Sequence, residues 1–169
     1  PQNPGPLIRV PQGTIVDISV RNLLGMPLVV HGLHDRPGPD QPLNLASGAS
    51  RSTRFRLTAA GSFFYWGTTT QATVAMRAAV DSQLSGAIIV DPPNSAAAVR
   101  RDRVFLIARY ADAGNEKAAP PIPPKTAFAI NGRSWPQTER LTYAVNEDIH
   151  WRLINASDEP HPLHLHGNY

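Results

Sequence analysis

Apolar and polar residues alternate along much of this chain with a period of two. Residues 14–20 (Thr-Ile-Val-Asp-Ile-Ser-Val) and residues 52–57 (Ser-Thr-Arg-Phe-Arg-Leu) follow this pattern. Because successive side chains on a strand point to opposite faces of a sheet, both segments predict half-buried strands. Residues 61–66 are rich in aromatic side chains, and residues 84–90 and 103–110 are short and mostly apolar. These three segments predict further strands.

Turn-forming residues separate these strands, as in the Pro-Gln-Gly sequence at residues 11–13 and the Pro-Gly-Pro sequence at residues 37–39. The chain contains 17 prolines and 12 glycines, and only 17% of its residues are charged, a composition that favours short elements over long helices. The pattern predicts one short helix, over residues 73–80. Regularly spaced short strands are typical of a sandwich or barrel, so we expect an all-β fold.

The pattern changes after residue 91 and then starts again. A strand that ends in Asn, a polar turn and then histidines occur twice, at residues 15–31 and at residues 148–161. An internal repeat of one β-sandwich is the natural interpretation. We expect a first domain, a linker with one strand, and the start of a second domain, at residues 1–92, 93–124 and 125–169. Residues 92–98 have the composition of a linker, and strand-like patterns in the second domain occupy residues 128–132, 141–145 and 148–154.

Charge, hydropathy and cysteine content exclude several functions. The net charge is +3, and the one dense basic patch, Arg100, Arg101 and Arg103, falls short of the concentrated basic face that nucleic-acid binding needs. No apolar run approaches the ~20 residues of a membrane span. The absence of cysteine excludes disulfides and zinc–thiolate sites within these residues. Residues 1–5 lack the features of a signal peptide, and we expect the natural chain to extend beyond both ends.

Five of the six histidines fall in two tight groups, which consist of His31 and His34 and of His161, His164 and His166. On an extended strand, His164 and His166 would share a face. Neutral imidazole is the usual protein ligand of copper, zinc and iron, so three imidazoles this close predict a metal site. A surface cluster, or an accidental one, is the alternative. The sixth histidine, His150, alternates with apolar neighbours and is predicted to lie on the edge of a strand.

The sequence His161-Pro-Leu-His-Leu-His-Gly resembles the H-P-x-H-x-H-G motif of the multicopper oxidases, the laccase-like enzymes. Residues 4–13, 84–90, 130–132 and 151–157 are also similar to this family, so the resemblance covers nearly the whole chain. It implies tandem cupredoxin-like Greek-key β-sandwiches, the second of them truncated, with copper as the cofactor. It also implies that electrons from a substrate enter at a type-1 copper and reduce dioxygen to water at a trinuclear type-2/type-3 cluster between domains.

The resemblance assigns copper ligands residue by residue. By the family motif, His161 matches a type-1 ligand, His164 a type-2 ligand and His166 a type-3 ligand. His31 matches a type-3 ligand of the first domain. The family's H-C-H motif, and with it the Cys and Met ligands of the type-1 copper, would lie beyond Tyr169.

Three of the four histidines that the family normally carries in its first domain are replaced here. Val29 stands at a type-2 position, and Trp66 and Thr68 stand at the two histidine positions of the family's Y-H-S-H motif. Val and Trp cannot bind copper, and a Thr hydroxyl binds it poorly, so the sequence does not support a standard trinuclear cluster. His34 is either a replacement ligand or a solvent-facing loop histidine. His31 is either a copper ligand or a hydrogen-bonded structural residue.

Three functions therefore remain open. In the first, the chain belongs to a copper oxidase whose first-domain site has diverged or is completed by another subunit. In the second, it belongs to an electron-transfer or copper-handling protein without a dioxygen cluster. In the third alternative it is a structural or binding sandwich with relic histidines. The resemblance further implies a periplasmic or extracellular location, a small-molecule or metal-ion electron donor, dioxygen as the second substrate of an oxidase, and the homotrimer that two-domain relatives form.

Overall fold

The computed structural model describes residues 2–95, 102–112 and 114–164 of this 169-residue chain. The described part contains ten strands and two short 3₁₀ turns, at Val74–Met76 and Ala79–Gln83. No helix in it is long and apolar enough to cross a membrane. The strands are β1 (Ile8–Pro11), β2 (Ile15–Arg21), β3 (Leu28–His31), β4 (Leu43–Leu45), β5 (Ser50–Arg56), β6 (Gly61–Thr68), β7 (Ser85–Asp91), β8 (Arg103–Asp112), β9 (Lys125–Ile130) and β10 (Trp151–Asn155).

Strands β1 to β7 form a sandwich of two sheets. The larger sheet has the strand order β1-β7-β6-β3-β4, and the smaller sheet pairs β2 with β5. Strand β1 runs parallel to β7, and the other neighbours are antiparallel. Only one face of β2 and of β5 meets the core, which explains their alternating sequences. The buried side chains between the sheets are Leu28, Val30, Leu33, Leu45, Leu57, Ile88 and Val90, and Val16, Ile18, Val20 and Phe55 pack against them from the smaller sheet.

A further sheet of three strands, in the order β10-β8-β9, packs against the outer face of the larger sheet. Strand β10 is parallel to β8, and β9 is antiparallel to it. Ala87 and Ile89 of β7 and Phe64 of β6 pack there with Leu106 and Ile154. Every residue of β7 is buried because the strand is covered on both faces. Its central residues are therefore a continuous apolar run rather than an alternating one.

Four charged side chains connect the two layers at one end. The guanidinium of Arg9 donates to both carboxylate oxygens of Asp91, at 2.8 Å each, and to Oδ1 of Asp102 at 2.5 Å. Arg152 donates to Asp102 and, at 3.4 Å, to Asp91. The side chain of Asp102 is 1% exposed, so its buried charge depends on these charge-assisted bonds. The network holds β1 and β7 next to β8 and β10.

Most of the strand predictions are confirmed. The fold is all-β, and the strands predicted at residues 14–20, 52–57, 61–66, 84–90 and 103–110 are present as β2, β5, β6, β7 and β8. The alternation pattern did not predict the short strands β1, β3 and β4. No strand forms at residues 141–145, and β10 begins at Trp151 rather than at residue 148, so that His150 directly precedes it.

The predicted helix over residues 73–80 is wrong. The segment forms two separate 3₁₀ turns, and the backbone between them is extended, with ψ of 133° at Arg77 and 172° at Ala78. The domain boundaries stay a prediction, although β8 belongs to the same sheet as β9 and β10. The part of the predicted linker at residues 96–98, together with Arg100 and Arg101, lies outside the described residues.

Candidate metal centre

The register between β3 and β6 brings together the four positions at which the family resemblance expects first-domain histidines. Val29 is directly opposite Thr68, and His31 is directly opposite Trp66. Residues two apart on a strand, and residues directly opposite across a sheet, share one face. The neighbours of Val29 along β3 point into the sandwich core, so these four side chains lie on the outer face of the sheet. Val29, His31, Trp66 and Thr68 are called the first-domain ligand positions below.

His31 is held by a carboxylate and an aromatic ring. Its Nδ1 lies 2.6 Å from Oδ2 of Asp40, and its ring stacks on Trp66 with 4.2 Å between centroids. Burial alone would raise the pKa of Asp40, but the bonds from the Gly32 N–H and from His31 outweigh it and lower that pKa. Asp40 therefore stays charged and accepts the Nδ1 proton, so that in a neutral imidazole the lone pair is on Nε2. Metal-bound histidines usually donate their other ring N–H to a carboxylate, a backbone carbonyl or water, and many structural histidines do the same.

His34 is buried, at 8% exposure, so the alternative of a solvent-facing loop histidine is wrong. Its Nδ1 lies 2.7 Å from the carbonyl oxygen of Asp35, which must accept. Its Nε2 lies 2.6 Å from Nη1 of Arg36, which must donate because a guanidinium has no lone pair to offer. Both ring nitrogens of His34 are thus engaged. A copper ligand at this position stays a prediction and would require Arg36 to move away.

Thr68 belongs to a polar turn that is centred on Asp81. The carboxylate of Asp81, in a residue that is 1% exposed, accepts hydrogen bonds from the hydroxyls of Thr68, Thr69 and Thr70 and from the N–H groups of Thr69 and Thr70. Burial raises the pKa of Asp81, but these bonds have the larger combined effect and lower it. The Thr68 oxygen also accepts from the N–H of Ala72 at 3.1 Å. Its donor and acceptor capacity is used within the chain.

Trp66 carries a buried arginine on its ring. The Cζ atom of Arg77 lies 5.3 Å from the centroid of the Trp66 ring, and Arg77 is 4% exposed. Sequence reasoning missed this residue. One feature of the sequence could have identified it. Arg77 is the single charged residue between Arg56 and Asp81, and the residues around it are uncharged.

The histidines near the end of the chain have different surroundings. Nε2 of His161 lies 2.8 Å from the hydroxyl of Ser157, and its ring meets the edge of Phe128 with 4.9 Å between centroids. His164 is exposed. His166 lies outside the described residues, and residues 161–164 form no regular strand. The prediction that His164 and His166 share a strand face therefore stays a prediction.

These contacts define two separate sets of histidines. His31 and His34 lie on either side of Asp40, while His161 contacts Ser157 and Phe128. Within residues 2–95, 102–112 and 114–164, no group of three or more His, Cys, Asp or Glu side chains could hold a metal ion. A complete metal site would need donors from outside these residues.

Family models described as multicopper oxidase match residues 1–95 and residues 107–169. The chain therefore belongs to the multicopper oxidase family. The predictions of this family, of cupredoxin-like sandwiches and of copper as the cofactor are confirmed at that level. A comparison with curated proteins gives no match.

Solved copper-enzyme structures are among those similar to this chain. The blue copper oxidase from Nitrosomonas europaea aligns over 93% of this chain and 53% of its own, at 24% identity and a TM-score of 0.69. The multicopper oxidase mgLAC aligns over 83% and 48%, at 26% identity and a TM-score of 0.58. The copper nitrite reductase from Nitrosomonas europaea aligns over 94% and 59%, at 19% identity and a TM-score of 0.60. This chain spans about half the length of these structures.

The histidine motif near the end of the chain and the first-domain ligand positions differ in how well they fit copper. The motif of His161, His164 and His166 offers imidazole nitrogens, which are good copper ligands. The first-domain ligand positions offer one imidazole, and the Thr68 hydroxyl is engaged by Asp81. Copper therefore fits the chemistry of the histidine motif and does not fit that of the first-domain ligand positions.

Proposed function

We propose that this chain is part of a copper-binding electron-transfer or copper-handling protein that lacks the dioxygen-reducing cluster of its family. The observation that carries the proposal is the register of β3 and β6, which groups the four first-domain ligand positions with a single histidine among them. A dioxygen-reducing cluster needs several copper ions, each held by imidazoles. One imidazole on this face is too few to supply the first-domain half of such a cluster.

The resemblance assigns His161, His164 and His166 to different coppers, and His161 would hold the copper that this protein keeps, with the other donors of that site outside the described residues. The hydroxyl of Ser157 occupies Nε2 of His161, which leaves Nδ1 as the donor atom. The edge contact with Phe128 restricts rotation of the imidazole. A copper ion in such a site supplies one-electron oxidation and reduction. Ser157 and Phe128 would keep the His161 ring in one orientation while an electron passes.

The surface next to His161 suits the approach of an electron donor. Phe128, which meets the His161 ring, is 41% exposed, and Leu163, two residues further along the chain, is 60% exposed, so apolar side chains lie at the protein surface near the motif. A small organic donor would be desolvated against them, and a metal-ion donor is the alternative. A periplasmic or extracellular location, which is common among copper proteins of this family, is part of the proposal.

An oxidase is the second candidate, and one observation favours it. The Nδ1 of His31 keeps the carboxylate partner, Asp40, that a metal-bound imidazole often has. In this alternative, donors from a neighbouring subunit of a homotrimer would complete the site, and dioxygen would be the electron acceptor.

Copper content distinguishes the two candidates. The full-length gene product would be loaded with copper, treated with a weak chelator to remove loosely bound metal, and measured by atomic emission and with an oxygen electrode. We expect about one copper per chain and no dioxygen uptake with a phenolic donor, since one set of imidazoles supports one site. About four coppers per chain with dioxygen uptake would establish the oxidase instead. A protein without copper would be the structural sandwich with relic histidines.

Two variants show where the copper is bound. His161→Ala should abolish its binding because the variant removes a ligand. His150→Ala is the matched control, since His150 is exposed and lies outside the motif; it should leave the copper content unchanged. Equal loss in both variants would contradict the assignment.

A further inference from the structure

Arg77 reaches two of the four first-domain ligand positions. It lies over the ring of Trp66, with 5.3 Å from Cζ to the ring centroid, and Trp66 in turn stacks on His31. Its Nη1 donates to the backbone oxygen of Asp81 at 3.0 Å, and the carboxylate of the same Asp81 accepts from Thr68. The guanidinium therefore contacts Trp66 directly and is linked to Thr68 through Asp81.

Arg77 is a buried positive charge. Arginine keeps its proton in proteins, and here its hydrogen-bond acceptors are the carbonyl oxygens of Asp81, Leu84 and Ala156, at 3.0, 3.0 and 3.3 Å. Burial lowers the pKa of Arg77, and the negative charge of Asp81 acts in the opposite direction. The Trp66 face adds a cation–π contact. These groups stabilise one cation at this place.

We infer that the guanidinium of Arg77 takes the place of copper beside the first-domain ligand positions and excludes the metal from them. Like charges at short distance in a desolvated environment repel each other strongly, so a copper ion beside Trp66 would be unfavourable even if more imidazoles were present. His31 is then a structural residue, held between Asp40 and Trp66. The inference rests on the proposed function and deepens it, because it names the group that prevents copper from binding at the first-domain ligand positions.

Arg77 also joins the two layers of the fold. Trp66 and Leu84 belong to the first sandwich and its 3₁₀ segment, whereas Ala156 follows β10 in the second sheet. Ala156 is 1% exposed, and its N–H donates to the carbonyl oxygen of Ile107 at 2.8 Å. The guanidinium thus connects both layers without a metal, at the place where the resemblance puts a copper cluster between domains.

Restoring the lost histidines tests the inference in the full-length protein. One variant carries Val29→His, Trp66→His and Thr68→His with Arg77 intact, and a second carries the same three changes with Arg77→Gln. Copper binding would be followed by titration calorimetry and by electron paramagnetic resonance. We expect the first variant to bind no more copper than the wild type and the second to gain at least one copper per chain. A gain already present with Arg77 intact would overturn the inference.

A simpler pair of variants keeps the inference testable if the multiple variants do not fold, which circular dichroism would reveal. His31→Gln in the wild-type background should leave the copper content and the copper spectrum unchanged. Loss of copper in this variant would show that the first-domain positions bind it and would overturn the inference. Arg77→Gln should lower the melting temperature equally with and without copper, while Arg77→Lys recovers part of the loss. If the wild type binds no copper, the proposed function fails, whereas the restored-histidine variants still test the role of Arg77.

Discussion

The two histidine regions of this chain are built in opposite ways. Around the first-domain ligand positions, polar groups satisfy one another, as Thr68 does with Asp81 and His31 with Asp40. Around His161, the described contacts are one hydrogen bond to Ser157 and one edge contact with Phe128. The Thr68 oxygen, which already donates and accepts within the chain, gains little from a metal. His31 is the single imidazole among the first-domain ligand positions, and a copper site needs more than one.

This difference shows how a family fold can keep its shape without one of its metal sites. The positions of the lost histidines did not become empty. Val29, Trp66 and Thr68 stand there, and Arg77 and Asp81 contact the last two of them.

Asp81→Ala should be the most damaging single change. It leaves the hydroxyls and N–H groups of the Thr68–Thr70 turn without their buried acceptor, and we expect a loss of about 3 kcal/mol in the free energy of unfolding. Urea denaturation followed by circular dichroism would measure it. The loss should be the same with and without copper, because no metal takes part in this region. Glu116→Ala, at an exposed carboxylate, is the control and should change stability little.

Ser157→Ala should weaken copper binding without unfolding the protein. The hydroxyl fixes the His161 ring from Nε2, and loss of such an orienting partner typically costs about 10-fold or more in metal affinity. Competition with a chelator of known affinity would measure the change. Ser134→Ala removes a different hydroxyl hydrogen bond, to the Phe128 carbonyl oxygen, and should leave copper affinity unchanged. If both variants behave alike, the His161 environment has no special role in binding.

Acid should weaken the first-domain region through Asp81. Its pKa is lower in the folded protein than its ordinary value of 3.8, so the folded state favours the ionised form. The stability from this group is present above pH 3.8 and falls as the pH drops through the folded pKa. The effect should be smaller than that of Asp81→Ala, because a protonated carboxyl still accepts some hydrogen bonds. Denaturation midpoints of wild type and Asp81→Asn should converge as the pH falls; parallel curves would contradict the assignment.

Asp40→Asn should have the smallest effect. The Asp40 side chain is 38% exposed, so losing its charged bond to His31 should cost no more than about 1 kcal/mol. Thermal melting would measure this cost. Copper content should not change, since His31 is not a copper ligand in our proposal. A fall in copper content would favour the oxidase.

Local sequence pattern predicted the strands whose environment is simple. Alternation identified β2 and β5 because one face of each meets the core, and the apolar run identified β7 because both of its faces are covered. Residues 73–80 looked helical because Ala, Val and Met are compatible with a helix. In the fold, Arg77 of this segment instead contacts Trp66 and the backbone oxygens of three residues. Such a contact is tertiary and leaves no periodic signal.

The candidate site was predictable only in part. The histidine motif and the replacements at Val29, Trp66 and Thr68 were visible because the family motif supplied their positions. The buried state of His34 and of Arg77 was not visible, since charged and imidazole side chains are usually exposed or half-exposed. The partners that permit their burial, Arg36 and three backbone carbonyls, come together only through the fold.

The double covering of β7 has a consequence for handling this protein in pieces. Ile89 is 0% exposed, and Ala87 beside it packs against the second sheet. Cutting the chain between β7 and β8 would expose an apolar stripe through the middle of a five-stranded sheet. A fragment that ends there would expose an apolar sheet surface and would self-associate or precipitate. Recombinant pieces should therefore retain at least β8, β9 and β10 as a permanent cover.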